Sequence, residues 1–225
     1  MTVLLEAKGL SAGYGGVPAI SGIDLSLNSG EIVALVGGNG AGKSTTLLTL
    51  SGAIRPTAGE VTMFGGPAER TVLRRVRAGL ALLPEKRAVI RGLTVRQNLL
   101  LGSGGVDAAL EHFPELERRL DTRAGLISGG EQQMLSLGRI LAGKPRIILA
   151  DEISLGLAPL IVERLLAVLS KVAVSGVGVL IVEQHPRVAM AWSNRAYVMR
   201  RGKIEVSMSH AEYKDRESDI LAMLL

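Results

Sequence analysis

Gly37-Gly38-Asn39-Gly40-Ala41-Gly42-Lys43-Ser44 fits the pattern G-x-x-x-x-G-K-[ST], and no other stretch of the chain restricts its fold so tightly. The pattern has meaning only with a buried strand before it and a helix after it. Glu31-Ile32-Val33-Ala34-Leu35-Val36 is a nearly continuous apolar run that suits a strand buried on both faces, and Lys43 to Leu50 has helical periodicity. Glycines let backbone N–H groups turn inward around a phosphate, and a helix beginning near Gly42 aims its positive dipole end at the same point. The sequence therefore predicts a phosphate cradle made of Gly37, Gly38, Asn39, Gly40, Ala41, Gly42, Lys43, Ser44 and the following Thr45. Lys43 would reach β- and γ-phosphates, and the Ser44 hydroxyl would ligate Mg²⁺, a hard cation that keeps several waters. The alternative is a glycine-rich turn that holds nothing.

Ile147-Ile148-Leu149-Ala150-Asp151-Glu152 is a second apolar strand, and it ends in two adjacent acids. Two carboxylates at the end of a buried strand are costly unless positive charge lies opposite them. Mg²⁺ would supply it. Asp151 would hold the ion through its water shell, while Glu152 would orient and polarise a water in line with the γ-phosphate. The competing reading has the acids merely capping the next helix.

The rest of the chain is ordered around these two strands. Val3 to Leu10 and Ile20 to Leu27 alternate, with Ile20, Gly22, Asp24 and Ser26 opposing Ser21, Ile23, Leu25 and Leu27, as in a small antiparallel β-layer. Gly178 to Val182 repeats the buried-strand texture, and Leu160 to Leu169 and Arg187 to Trp192 are helical, so β and α alternate as right-handed crossovers require. Between Leu93 and Ala142 the sequence turns helix-forming, broken at Gly102-Ser103-Gly104-Gly105 and Pro114. The tail from Ser209 reads as a docked helix or a partner-binding one, with Ile220, Leu221, Leu224 and Leu225 on one face.

Hydrophobic residues at 47% and charged ones at 21% describe an ordinary folded domain and exclude disorder. Cysteine is absent, which removes disulfides and thiol chemistry. The N-terminal residues carry Glu6 early and do not read as a signal peptide, and the apolar runs are far short of the ~20 residues that span a bilayer. An intracellular chain that reaches a membrane only through a partner is expected. The net charge of +5 is spread along the chain and aromatics total 3%, so nucleic acid is not expected as a partner.

Ser128-Gly129-Gly130-Glu131-Gln132-Gln133 lies between the cradle and the acidic strand, and it resembles the signature motif of the ABC ATPases. The resemblance covers nearly the whole chain. It implies an α/β fold of the P-loop NTPase type: a mixed central sheet with helices, an antiparallel β-layer and an inserted helical subdomain. The expected boundaries are a core of residues 1–87 and 143–225 and a helical signature subdomain of 88–142. In that family two protomers sandwich two ATPs head to tail. Ser128, Gly129 and Gly130 would then bind the γ-phosphate held by a partner's Lys43, and Tyr14 would stack on adenine. Ser154-Leu155-Gly156-Leu157-Ala158-Pro159, together with Pro84-Glu85, Phe113-Pro114-Glu115-Leu116 and Val182-Glu183-Gln184, resembles the second, shorter ATPase of branched-chain (hydrophobic) amino acid importers. The resemblance implies ATP and Mg²⁺ as cofactors, transmembrane permease subunits and a second ATPase as partners, a separate substrate-binding protein, and a place at the cytoplasmic face of the cell membrane.

The chain departs from the family pattern at three positions. Glu85 stands where a magnesium-sensing Gln is usual; it brings an extra negative charge into the site and would join Ser44 and Asp151 as a metal ligand. Gln184 occupies the place of the switch histidine, with His185 one residue later; an amide can bond phosphate but brings no charge. Ile153 replaces a proline after Glu152, with only local loosening expected. Glu85 and Gln184 look like subfamily features and point to a heterodimer whose site on this chain is the slower of two. The open alternatives are a regulatory subunit that binds ATP and scarcely hydrolyses it, a soluble ABC ATPase, and an exporter subunit. The exposed apolar stretch Val89 to Leu93 would receive a partner helix or else pack into the core.

Overall fold

The structure, a computed structural model, describes residues 2–224. In chain order the elements are β1 (Val3–Tyr14), β2 (Val17–Asn28), β3 (Ile32–Val36), α1 (Lys43–Ser51), β4 (Ala58–Met63), β5 (Gly66–Pro67), α2 (Val72–Arg77), β6 (Leu80–Leu83), α3 (Val95–Leu100) and α4 (Gly105–Leu110). There follow a 3₁₀ turn at Pro114–Arg119, α5 (Gly129–Ala142), β7 (Ile147–Asp151), α6 (Pro159–Val174), β8 (Gly178–Glu183), α7 (Pro186–Trp192), β9 (Arg195–Arg200), β10 (Lys203–Ser209) and α8 (His210–Leu224).

Two sheets result. The antiparallel layer runs β2-β1-β4-β5, and the main sheet runs β10-β9-β3-β8-β7-β6, parallel throughout except for the β9–β10 hairpin. The apolar runs in the main sheet follow from burial on both faces. Along β7, Ile147 and Leu149 face the core shared with the antiparallel layer and α1, whereas Ile148 and Ala150 face the core under α5 and α6. On β8, Leu180 and Val182 oppose Val179 and Ile181 in the same way. A third core, built by Val36, Ala196 and Val198 with Met190 and Tyr213, docks α7 and α8.

The alternation expected along Ile20 to Leu27 fails at one point. Ile20 and Ile23 are both buried, although they are three residues apart. Leu10 pairs with Ile23 and Ala12 with Ile20, so β2 carries one residue more than β1 across this step. Gly22, at φ 63°, absorbs it as a bulge and turns both isoleucines inward.

Leu93 to Ala142 forms α3, α4 and α5 around Phe113, Leu116 and Leu135, all fully buried. Val89 packs against this core, while Ile90 stays 50% exposed. In the tail, α8 kinks at Arg216. Ile220 is fully buried beyond the kink; Leu225 lies outside the described residues, as does the side chain of Leu224. No helix among the described residues is long and apolar enough to cross a membrane.

Candidate functional site

β3 delivers the chain to the cradle, and α1 leaves it. Gly42 is the N-cap of α1 at φ 104°, with no side chain capping the first turn, so its N–H groups are left to a ligand. A Cβ at Gly42 would sit 2.7 Å from Ile20 Cγ2, which makes glycine obligatory on two counts. The cradle is roofed from far along the chain: the Gly202 N–H donates to the Ala41 carbonyl at 2.9 Å, and Ser21 donates to the Gly202 carbonyl at 2.9 Å.

A cleft of about 680 Å³ opens over this loop, a size suited to a nucleotide. Asn39, Gly40, Ala41, Gly42, Lys43, Ser44 and Thr45 line it, with Glu85, Glu152 and Gln184 on the facing wall. Pro18, Ala19, Arg201 and Gly202 form its far end. Tyr14 does not line the cleft; it ends β1 at 57% exposure. Gly37 and Gly38 contribute from behind, where their carbonyls accept hydrogen bonds from Lys43 Nζ at 2.8 and 3.1 Å. The lysine is thus folded onto its own loop and is 5% exposed. Burial lowers its pKa, opposed by the nearby charges of Glu152, Asp151 and Glu183.

Asp151 lies below the cleft at 7% exposure, with the Ser44 hydroxyl 3.5 Å from its Oδ1. Burial raises its pKa; the Ser44 hydrogen bond and Lys43 pull it down, while Glu152 and Glu85 push it up. A buried carboxylate beside a hydroxyl, short of positive charge, is a hard-oxygen donor set that fits a divalent cation sharing phosphate oxygens. Among the described residues no cluster of three or more His, Asp or Glu would hold an ion without such help.

Glu152 continues the sheet by one bond, its N–H donating to the Val182 carbonyl at 2.9 Å, and then turns at φ 47°. A left-handed conformation at a non-glycine residue stores strain that its surroundings must hold in place. Gln184 Nε2 donates to Glu152 Oε1 at 2.7 Å, which leaves Oε2 open to the cleft. A sequence-level comparison with histidine could not show this bond. Ile153, in the usual proline position, is 1% exposed and packs into the core under α6, so the turn is anchored rather than loosened.

Ser128, Gly129 and Gly130 stand apart from this cleft. They begin α5, where the Ser128 hydroxyl accepts from the Glu131 N–H at 3.2 Å and Glu131 Oε2 accepts from the Ser128 N–H at 2.8 Å. Ser128 lines a separate groove of about 840 Å³ with Leu160, Ile161 and Trp192. Within one chain, the cradle and this serine line different cavities.

Residues 20–154 match the family described as ABC transporter. The chain is 39% identical over 214 residues to the high-affinity branched-chain amino acid transport ATP-binding protein BraG of Pseudomonas aeruginosa, covering 89% of this chain and 91% of that protein. It is 33% identical over 212 residues to the lipopolysaccharide export system ATP-binding protein LptB of Escherichia coli, covering 89% and 88%. It superposes with a TM-score of 0.79 at 25% identity on a dimeric ATP-binding cassette in a post-hydrolysis state bound to ADP and Pi, covering 92% of this chain and 99% of that one.

Proposed function

Because this chain belongs to the ABC transporter family as an ATP-binding subunit, an ATPase that dimerises and works with transmembrane permeases, we propose that it powers import of branched-chain or other hydrophobic amino acids. The cargo rests on the 39% identity to BraG, and the lipopolysaccharide exporter among its relatives marks the alternative. A separate substrate-binding protein and a place at the cytoplasmic membrane face belong to the same reading. So does the division into a core of 1–87 and 143–225 and a helical part of 88–142.

The observation that carries the ATPase site is the Glu152 carboxylate, held by Gln184 on the wall facing the cradle. The open N–H groups of α1 bind the phosphates, and Lys43 leaves the Gly37 and Gly38 carbonyls for the β- and γ-phosphates. Ser44 and Asp151 would hold Mg²⁺, with Glu85 within electrostatic reach of Asp151, and the ion would neutralise charge that develops on the phosphate oxygens. Glu152 Oε2 accepts a hydrogen bond from the attacking water, orienting its oxygen toward the γ-phosphorus while the bond to the β-phosphate oxygen breaks opposite. Gln184 keeps Oε1 occupied, so the free oxygen points one way. In the partner's site, Ser128, Gly129 and Gly130 would meet the γ-phosphate; Tyr14, exposed at the end of β1 and outside the lining of the cleft, would have to approach the base from there.

Steady-state ATP hydrolysis by the purified chain, alone and with a related ATPase, tests this reading. Hydrolysis abolished by Glu152→Gln with ATP still bound supports it. Binding without hydrolysis in every mixture leaves a regulatory subunit instead. The heterodimer reading makes this chain's site the slower of two, and equal, full-rate hydrolysis by a homodimer would refute it.

A further inference from the structure

Glu183 takes no part in the chemistry above, yet it is an ionisable group 2% exposed, directly before Gln184 at the end of β8. It ends β8 in register with Val36, the last residue before the cradle. Its Oε1 accepts from the Ser154 N–H at 3.1 Å and its Oε2 from the Ser154 hydroxyl at 2.8 Å. No basic side chain among the described residues forms an ion pair with it. Burial raises its pKa, the two Ser154 bonds lower it, Glu152 raises it further and His185 lowers it, with a net shift upward. A buried carboxylate whose hydrogen bonds come only from neutral donors, with Lys43 and His185 acting on it through space, is costly to keep, and a packing role would be served as well by an apolar side chain.

What Glu183 holds gives it a purpose. Three consecutive residues of β8 and its exit grip one turn: the Val182 carbonyl takes the Glu152 N–H, Glu183 takes both donors of Ser154, and Gln184 takes the Glu152 carboxylate. Between the gripped positions the backbone carries the left-handed Glu152 at φ 47°. Leu155, on the same turn, lines the cleft and is 52% exposed. We infer that Glu183 is a positioning residue of the hydrolytic site, whose two-point grip on Ser154 keeps the turn closed and the Glu152 carboxylate aimed at the cleft. The inference rests on reading Glu152 as the group that orients water. Glutamine at this position could accept from the Ser154 N–H and would have to donate to the hydroxyl oxygen instead of accepting from it, which exchanges two charge-assisted bonds for two weaker neutral ones.

The test combines amide hydrogen exchange with kinetics on Glu183→Gln, Ser154→Ala, Ser154→Thr and the double variant Glu183→Gln/Ser154→Ala. In Glu183→Gln, exchange over residues 153–157 should rise by about tenfold or more while that of α1 stays unchanged. The kcat for ATP should fall by about 10- to 100-fold, with KM within about twofold, as a misaimed group predicts. Ser154→Ala should show a smaller loss, Ser154→Thr should restore activity because the hydroxyl returns, and the double variant should be no slower than the worse single one. Unchanged exchange over 153–157 overturns the inference, as does unchanged kcat in an active chain or full additivity of the two losses. Should the unaltered chain bind ATP and fail to hydrolyse it with any partner, the reading of Glu152 falls, and the exchange measurement still decides whether Glu183 holds the turn.

Discussion

Two helices of this molecule begin where phosphate is expected, and they begin differently. The first turn of α1 has a left-handed glycine at its cap and no side chain to satisfy its N–H groups, whereas that of α5 is closed by reciprocal bonds between Ser128 and Glu131. Arg119 adds an ion pair to Glu131 at 2.9 Å. One start is complete only with a ligand; the other is complete without one. The difference teaches how a single chain can carry two half-sites for phosphate without competing with itself. On the function proposed above, the open end would take the nucleotide of its own chain, and the self-capped end would meet phosphate brought by another subunit.

The largest effect should come from the open end. Glu152→Gln should cut kcat by about 10²- to 10⁴-fold with ATP binding intact, and Lys43→Ala should remove most ATP affinity; radiolabelled binding beside a phosphate-release assay separates the two. Next, Gly42→Ala should destabilise the chain by roughly 1–3 kcal/mol and abolish ATP binding, because it meets both the backbone angle and Ile20. Thermal melting with and without ATP reads both. Ser128→Ala should cost only about 1 kcal/mol, a shift of ~2–4 °C in Tm, and leave ATP affinity of the isolated chain unchanged while slowing hydrolysis in the dimer. If it weakens ATP binding by the single chain, the two ends are not independent and the contrast fails.

The smallest effect concerns pH, and its sign differs between the two regions. The folded pKa of Glu183 is raised, so its favourable contribution is full below the unfolded value of ~4.3 and is lost as pH rises through the folded value. Burial also pushes Glu131 up, but Arg119 and Ser128 carry it below the usual value. Its contribution is therefore present above ~4.3 and lost as pH falls through the folded value. Relative to Glu183→Gln, the unaltered chain should gain stability as pH falls from neutral toward ~5. Relative to Glu131→Gln, it should lose stability only below ~4, and by little because Arg119 is well exposed. Denaturant melts across pH that show one sign for both would break the distinction.

The sheets, the cradle and the acidic strand end were readable from sequence because each is written in consecutive residues with a clear period. Gly37 to Ser44 carries its whole geometry in eight positions. The bulge at Gly22 was hidden, since a glycine inside an alternating strand does not announce which way its neighbours turn. Pro18, Ala19, Arg201 and Gly202 were missed as cleft residues: two distant hairpin segments meet there, and no local pattern links them. The inward fold of Lys43 and the grip of Glu183 on Ser154 were equally out of reach, because both depend on where a side chain lands across a strand end. Departures that look alarming in a row of letters can become ordinary in space. Gln184 loses the charge of a histidine and keeps the Glu152 carboxylate in hand.

The bond from Gly202 to Ala41 has a consequence for how the protein is made. The strand that presents the cradle, β3, lies between β8 and β9, both of which come from beyond residue 177. A nascent chain that has emerged from the ribosome only through α6 already contains every residue of the nucleotide loop, and has neither neighbour for the strand nor the hairpin that roofs it. With synthesis running N-terminus first at about 5–20 residues per second, the site stays unformed for seconds after its sequence is complete. The cradle therefore takes its final shape only once strands made much later in the chain have come to lie on either side of it.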